Sequence, residues 1–173
     1  MLASSNRRTR DATGQAAVAR LKRAQALCAS RGERLTALRG AVLRLMYEEE
    51  RPLGAYEIIE LLGRTLRRDV SPITVYRVLD FLLAQRLVSR LASRSAFAAC
   101  SQPELPHTCV LFVCVACGGT FETRAPELDR SIVAAARALD FQSRSRVLEV
   151  DGVCRKCGAK RNRNAQPLRG HHA

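Results

Sequence analysis

The sequence predicts an α+β protein made of two small modules, an N-terminal winged helix-turn-helix unit and a C-terminal α/β unit built around paired cysteines. Three observations carry this. Before Cys100 the apolar residues recur with helical spacing and then give way to two short strands around a polar turn. The composition then shifts, with six of the seven cysteines at or beyond Cys100. Finally, Cys114-Val-Ala-Cys117-Gly118 is answered by Cys154-Arg-Lys-Cys157-Gly158.

The totals fit this division. A chain of 173 residues suits one larger domain or two small ones, each near the lower limit for a self-sufficient core. With 47% hydrophobic and 26% charged residues the composition is that of a folded chain, not a disordered one. No apolar run approaches the roughly 18 residues of a membrane span. The opening MLASSNRRTRDATG carries charge with no apolar stretch behind it, so no secretory signal is expected and the chain is expected in the cytoplasm, where thiols stay reduced. The net charge of +13 and pI of 10.5 attract polyanions, nucleic acid first among them.

Residues 1–13 are polar and basic and are expected to form a flexible tail. From Gln15 to about Arg31 a helix is predicted, with Ala17, Leu21, Ala24 and Leu27 on one face and Arg20, Lys22 and Arg23 outside it. Thr36 can cap a second helix bearing Leu38, Val42, Leu45 and Met46, which Arg51-Pro52-Leu53-Gly54 ends. A third helix runs from about Ala55 to Leu62, stopped by Gly63. Ser71-Pro72 then starts a fourth, over residues 72–85, since proline suits the first helical position. There Val75, Val78, Leu79 and Leu82 line one face, and Thr74, Tyr76, Arg77 and Asp80 the other. LVSRL and SAFAA, parted by Ala92–Arg94, read as the hairpin of the wing.

The winged-helix domain is thus expected over 14–92, the end of the wing and a hinge over 93–99, the metal-binding domain over 100–160, and a polar tail over 161–173. In the second domain CVLFVCV reads as a buried strand. Pro126 opens a helix with Leu128, Ile132, Ala135, Ala136 and Leu139 on one side, and SRVLEVDGVC alternates as a strand.

Paired CxxCG units need a common explanation. In a knuckle both sulfurs of a turn face one point, and the glycine supplies the positive φ of the tight turn. Cys114, Cys117, Cys154 and Cys157 together give four thiolates, the tetrahedral set that zinc accepts at about 2.3 Å. A single redox CxxC opening a helix, or a disulfide framework with an odd cysteine count, fits less well. The expected site is closed and structural, and does no chemistry. Of the other cysteines, Cys28 lies in a helical pattern and reads as core. Cys100 stands at the module boundary, with His107 and Glu122 downstream. These are ligand types that zinc accepts, though composition alone does not require them to meet.

At this point the chain resembles the ferric uptake regulator family, in its zinc uptake regulator branch. The resemblance rests on RLTALRGAVLRLM, GAYEIIELL, SPITVYRVLDFLLAQRLV, the AAC…PHT segment before FVCVACG, and VCRKCG, and spans roughly residues 15–160. It implies a DNA-binding winged helix, a C-terminal domain that dimerises, structural zinc on Cys114, Cys117, Cys154 and Cys157, and a second, regulatory zinc at the hinge. The family's pattern gives that second zinc to Cys100, His107, Glu122 and a histidine at the start of the wing. That last position is Ser89 here, a poor zinc ligand. Water, Cys109 and a tail histidine (His171 or His172) are the candidates for its place.

A thiolate in the sensing site favours zinc over Fe(II) or Mn(II). On this resemblance Tyr76 and Arg77, with Thr74 on the same helix, face the major groove, and Tyr56 also contacts DNA. Arg20, Lys22, Arg23 and Arg39 are candidate phosphate contacts. The implied function is a zinc-responsive repressor: a homodimer with two zinc ions per chain that binds an AT-rich palindrome in double-stranded DNA and represses zinc-uptake genes. A nickel, iron or peroxide sensor of the same family is the alternative. With one histidine outside the tail and neither a nucleophile motif nor a phosphate-binding glycine loop, no enzyme, organic substrate or membrane partner is expected.

Overall fold

The computed structural model describes residues 4–49, 51–104, 108–142 and 147–164. Helices α1 (Ser4–Ser30), α2 (Ala37–Glu49), α3 (Ala55–Leu66) and α4 (Pro72–Ala84) come first, with a two-residue strand β1 (Leu53–Gly54) between α2 and α3. The wing follows as β2 (Val88–Leu91), a single 3-10 turn over Ala92–Arg94, and β3 (Ala96–Ala99). The second module holds β4 (Cys109–Cys114), β5 (Thr120–Thr123), α5 (Pro126–Ala138), β6 (Val147–Gly152) and α6 (Arg155–Asn164).

The N-terminal module is organised by one apolar cluster. Ala17, Ala24 and Cys28 of α1 meet Val42, Leu43 and Met46 of α2, Ile58 and Leu62 of α3, and Val75, Leu79 and Leu82 of α4. The expected inward face of α4 is thus the buried one. Replacing Leu79, only 1% exposed, with alanine is expected to cost about 2–5 kcal/mol, through lost transfer energy plus a cavity. Urea denaturation of the purified variant, followed by helical circular dichroism, measures it.

Several boundaries differ from expectation. Helix α1 begins at Ser4, not Gln15, because its polar, arginine-rich first turns contain no breaker stronger than Gly14. Helix α3 runs through Gly63 to Leu66, since a glycine within a helix costs only about 1 kcal/mol. It closes at Arg67, which takes the left-handed conformation (φ 51°) with its N–H on the Gly63 carbonyl. The segment expected only to end α2 also supplies a third strand to the wing, Leu53 pairing with Phe97 and Gly54 with Ala96. The wing sheet therefore has the order β1-β3-β2.

In the second module β4 lies between an antiparallel β5 and a parallel β6. Strand β5, over Thr120–Thr123, was not foreseen; its apolar content is a single phenylalanine. Helix α6 occupies part of the stretch expected as polar tail. The core here is slight. Cys109, Leu111 and Val113 of β4 are joined by Leu91 and Ala98, which belong to the wing. Helix α5 buries none of its residues fully, and Leu139 just beyond it is 77% exposed, so the expected inward face finds no complete cover among the described residues. Phe112 and Phe121, paired across β4 and β5, are also exposed.

Candidate metal centres and nucleic-acid interface

Two strands and a helix start bring the four knuckle cysteines together. Cys114 ends β4, Cys117 follows in the turn to β5, Cys154 follows β6, and Cys157 lies in the first turn of α6. One sulfur from each lies within 4.8 Å of every other. A tetrahedron of sulfurs about 2.3 Å from its centre has edges of about 3.8 Å, and Cys117 Sγ and Cys154 Sγ stand 3.9 Å apart. The donor set and its spacing fit zinc.

The two turns are built differently. Gly118 has φ 75° and its N–H donates to the Cys114 carbonyl at 2.8 Å, as the knuckle turn demands. Gly158 has no positive φ. Its N–H bonds the Cys154 carbonyl at 2.9 Å as part of α6, so the second pair sits at a helix N-terminus. The expectation that both pairs form glycine knuckles is corrected there, because Arg155 and Lys156 continue directly into helix. The Cys154 N–H donates to Cys114 Sγ at 3.3 Å. That bond, with the Cys117 N–H, lowers the Cys114 thiol to about 6, whereas Cys157, hydrogen-bonded to the Cys154 and Cys117 sulfurs, is raised to about 12. Four crowded sulfurs cannot all ionise without a cation among them.

A second cluster lies where the modules meet. Cys100 follows β3, with its N–H on the Leu87 carbonyl at 2.9 Å. Glu122 comes from β5. Its Oε1 is 3.5 Å from Cys100 Sγ and 3.6 Å from Cys109 Sγ, while its Oε2 accepts the Ser101 N–H at 2.8 Å. Burial first, and then the Glu122 charge, raise the Cys100 thiol to about 12. Burial also raises Cys109 to about 11, with a hydrogen bond to the Ser89 side chain acting the other way. A cavity of 180 Å³ opens beside the cluster, lined by Arg20, Pro52, Ala99, Thr120 and Glu122 among others. Two of the three expected hinge residues, Cys100 and Glu122, are thus brought together; His107 lies outside the described residues. Ser89 is in β2, buried, and touches Cys109.

The modules are also clasped at the wing tip. Glu149 of β6 accepts the Ala92 N–H at 2.6 Å and the Ser93 hydroxyl, and Arg94 donates to the Cys114 carbonyl at 3.2 Å. Reading the sequence missed this contact, because a glutamate on an exposed strand carries no local signal.

On α4, Tyr76 and Arg77 are exposed and Thr74 is half-buried, all on the face away from the core. Tyr56, near the start of α3, is 76% exposed. Lys22 and Arg23 are exposed on α1. Arg20 and Arg39 are engaged internally. The Arg20 guanidinium stacks over the Tyr47 ring at 4.0 Å and that of Arg39 over Phe81 at 3.5 Å. Arg20 also reaches to 3.5 Å from the Cys100 carbonyl oxygen.

A basic winged helix joined to a cysteine-rich module, with thiols and a carboxylate meeting at the joint, defines a DNA-binding regulator governed by a metal ion. The family profile for the ferric uptake regulator family matches residues 30–151. The chain belongs to that family, whose members regulate transcription, and it is not an enzyme. It is 36% identical over 138 residues to the zinc uptake regulation protein of Escherichia coli (strain K12), covering 79% of this chain and 80% of that protein. The protein of the same description from Shigella flexneri matches to the same extent. A solved zinc uptake regulator complexed with zinc and DNA superposes with a TM-score of 0.74 at 34% identity, covering 82% of this chain and 95% of that one. Holo XcZur gives 0.69 at 38% identity, covering 80% and 96%. Among the described residues no helix is long and apolar enough to cross a membrane.

Proposed function

We propose that this chain is a cytoplasmic, zinc-responsive transcriptional repressor. Its zinc-loaded homodimer binds an AT-rich palindromic operator and represses zinc-uptake genes. The observation that carries the reading is the approach of Cys100, from the end of the wing, to Glu122, from the second module, at 3.5 Å. A sulfur beside a carboxylate across a module boundary is a donor pair for a transition metal. By the family's pattern His107 joins them, making a regulatory site distinct from the four-cysteine structural site and bringing the count to two zinc ions per chain.

Cys100 and Glu122, with His107 by the family's pattern, would hold zinc at the hinge, which would supply the positive charge that draws them together. Cys100 is fixed by its backbone bond to Leu87, and Glu122 by its place in β5 and the bond from Ser101. Drawing those ligands to one point sets the angle between winged helix and second module. The exposed apolar surface of Phe112, Phe121 and Leu139 is covered by the partner subunit. In that dimer the hinge angle sets the separation of the two copies of α4, which must match one DNA turn of about 34–36 Å. Zinc favours that arrangement only by binding it more tightly than the alternatives. Tyr76 and Arg77, with Thr74 and Tyr56, read the operator, while Lys22 and Arg23 meet phosphates. Arg20 and Arg39 serve first as internal braces.

Anaerobic zinc titration read by operator binding tests this. Wild type should gain about 5–150-fold in affinity as the second zinc binds, the usual range of allosteric coupling. Cys100→Ser should lose that gain while keeping its structural zinc. Equal operator affinity with and without the second zinc would end the reading. Metal analysis separates the rival, since one zinc plus an exchangeable iron or nickel would point to another metal.

A further inference from the structure

We propose that Cys109 is a direct ligand of the hinge metal, taking the place left by Ser89, so that this chain holds its sensed ion through two thiolates. The inference rests on the hinge site proposed above and assigns a residue to it.

The geometry singles out Cys109 from the candidates. Its sulfur and that of Cys100 approach the same carboxylate oxygen, Glu122 Oε1, at 3.6 and 3.5 Å. In a tetrahedral zinc site with Zn–S of about 2.3 Å and Zn–O of about 2.0 Å, the sulfur-to-oxygen edge is about 3.5 Å. Both contacts have that length. The other elements converge on the same point. Cys109 opens β4, and Glu122 lies beside it on β5, opposite Leu111. Ser89 lies on β2 with its side chain hydrogen-bonded to Cys109. Positions 89 and 109 therefore look into one space from two strands, and a donor missing from the first is supplied from the second. A serine hydroxyl is a poor zinc ligand, while a thiolate is among the best.

Cys109 is also a member of the small apolar cluster with Leu111 and Val113, and a core thiol is the plain alternative. Cys28 shows what that looks like here. It is fully buried within the apolar cluster of the N-terminal helices. Cys109 instead faces a carboxylate that already has a second thiol beside it. Both thiols donate hydrogen bonds to that one carboxylate oxygen, and a cation among the three would replace those weak bonds with sulfur and oxygen ligation. A cavity of 180 Å³ adjoins the cluster on the Glu122 side. Two thiolates also make the site softer, which strengthens its preference for zinc over Fe(II) and Mn(II).

The test uses the full-length dimer, its four-cysteine site filled with zinc, titrated anaerobically with Co(II). The readouts are thiolate-to-cobalt charge-transfer absorption and affinity by chelator competition. Wild type should show about half the charge-transfer intensity of a four-thiolate site, because two thiolates bind instead of four. An intensity of about a quarter overturns the proposal without any variant. Cys109→Ser should lose about half of the wild-type second-site band and bind the ion about tenfold or more weakly, since even outer-shell changes cost 10–100-fold. Ser89→His combined with Cys109→Ser should recover affinity but not the band. If Cys109→Ser leaves band and affinity intact while Cys100→Ser abolishes the band, Cys109 is a core thiol and the hinge site stands. If neither variant changes anything, the hinge site falls as well.

Discussion

Stripping the structural zinc, by a strong chelator or by Cys154→Ser, is expected to unfold the second module and leave a monomer that no longer binds its operator. The second module cannot fold on its apolar contacts. Among the described residues, its buried apolar residues are five, Cys109, Val110, Leu111, Val113 and Cys114, and α5 buries nothing fully. At about 1.5–3 kcal/mol for each buried side chain, five such residues supply at most about 15 kcal/mol. Ordering the backbone of even one strand and one helix costs more, at about 1–2 kcal/mol per residue. A structural zinc in a small domain is worth on the order of 10–16 kcal/mol. The metal therefore decides whether the module exists. Size-exclusion chromatography with limited proteolysis checks this. A zinc-free chain that stays dimeric and resists cleavage beyond residue 108 would refute it.

Replacing Arg77 with alanine is expected to abolish specific operator binding while leaving the dimer and both metal sites intact. Arg77 is exposed on the outer face of α4, and its neighbours Val75, Val78 and Leu79 are buried, so its direction is fixed by the core behind it. A bidentate arginine–guanine pair contributes about 1–3 kcal/mol of discrimination. A symmetric dimer loses it twice, about 2–6 kcal/mol in all. Binding to unrelated DNA, which rests on total charge and counterion release, should fall far less. Fluorescence anisotropy with operator and scrambled duplexes, at one salt concentration, separates the two. Equal losses on both would remove Arg77 from base recognition.

Much of this architecture could be read from the sequence, for identifiable reasons. The face of α4 was legible because Val75, Val78, Leu79 and Leu82 recur at helical spacing and Ser71-Pro72 marks the start. The four-cysteine site was legible because CxxCG appears twice. Strands β1 and β5 were not. A two-residue strand has no period, and Thr120–Thr123 owes its conformation to pairing with β4. Helix α3 passed its glycine because tertiary packing of Ile58 and Leu62 outweighs one weak helix former. The internal roles of Arg20 and Arg39 depend on aromatic rings distant in sequence, Tyr47 and Phe81. No local pattern connects such pairs. Cys109 stood among three candidates for the vacant ligand place because a spacing cannot show which strand faces which.

The hydrogen bond from Arg94 to the Cys114 carbonyl has a consequence for how this protein fails. One residue lends its sulfur to the four-cysteine cluster and its carbonyl oxygen to the tip of the wing, while Glu149 grips the neighbouring residues. Damage at the four-cysteine cluster therefore reaches the wing by a route that bypasses the hinge cluster. An oxidant reaching the four-cysteine cluster, where Cys117 is the exposed member, would therefore loosen the tip of the wing as well.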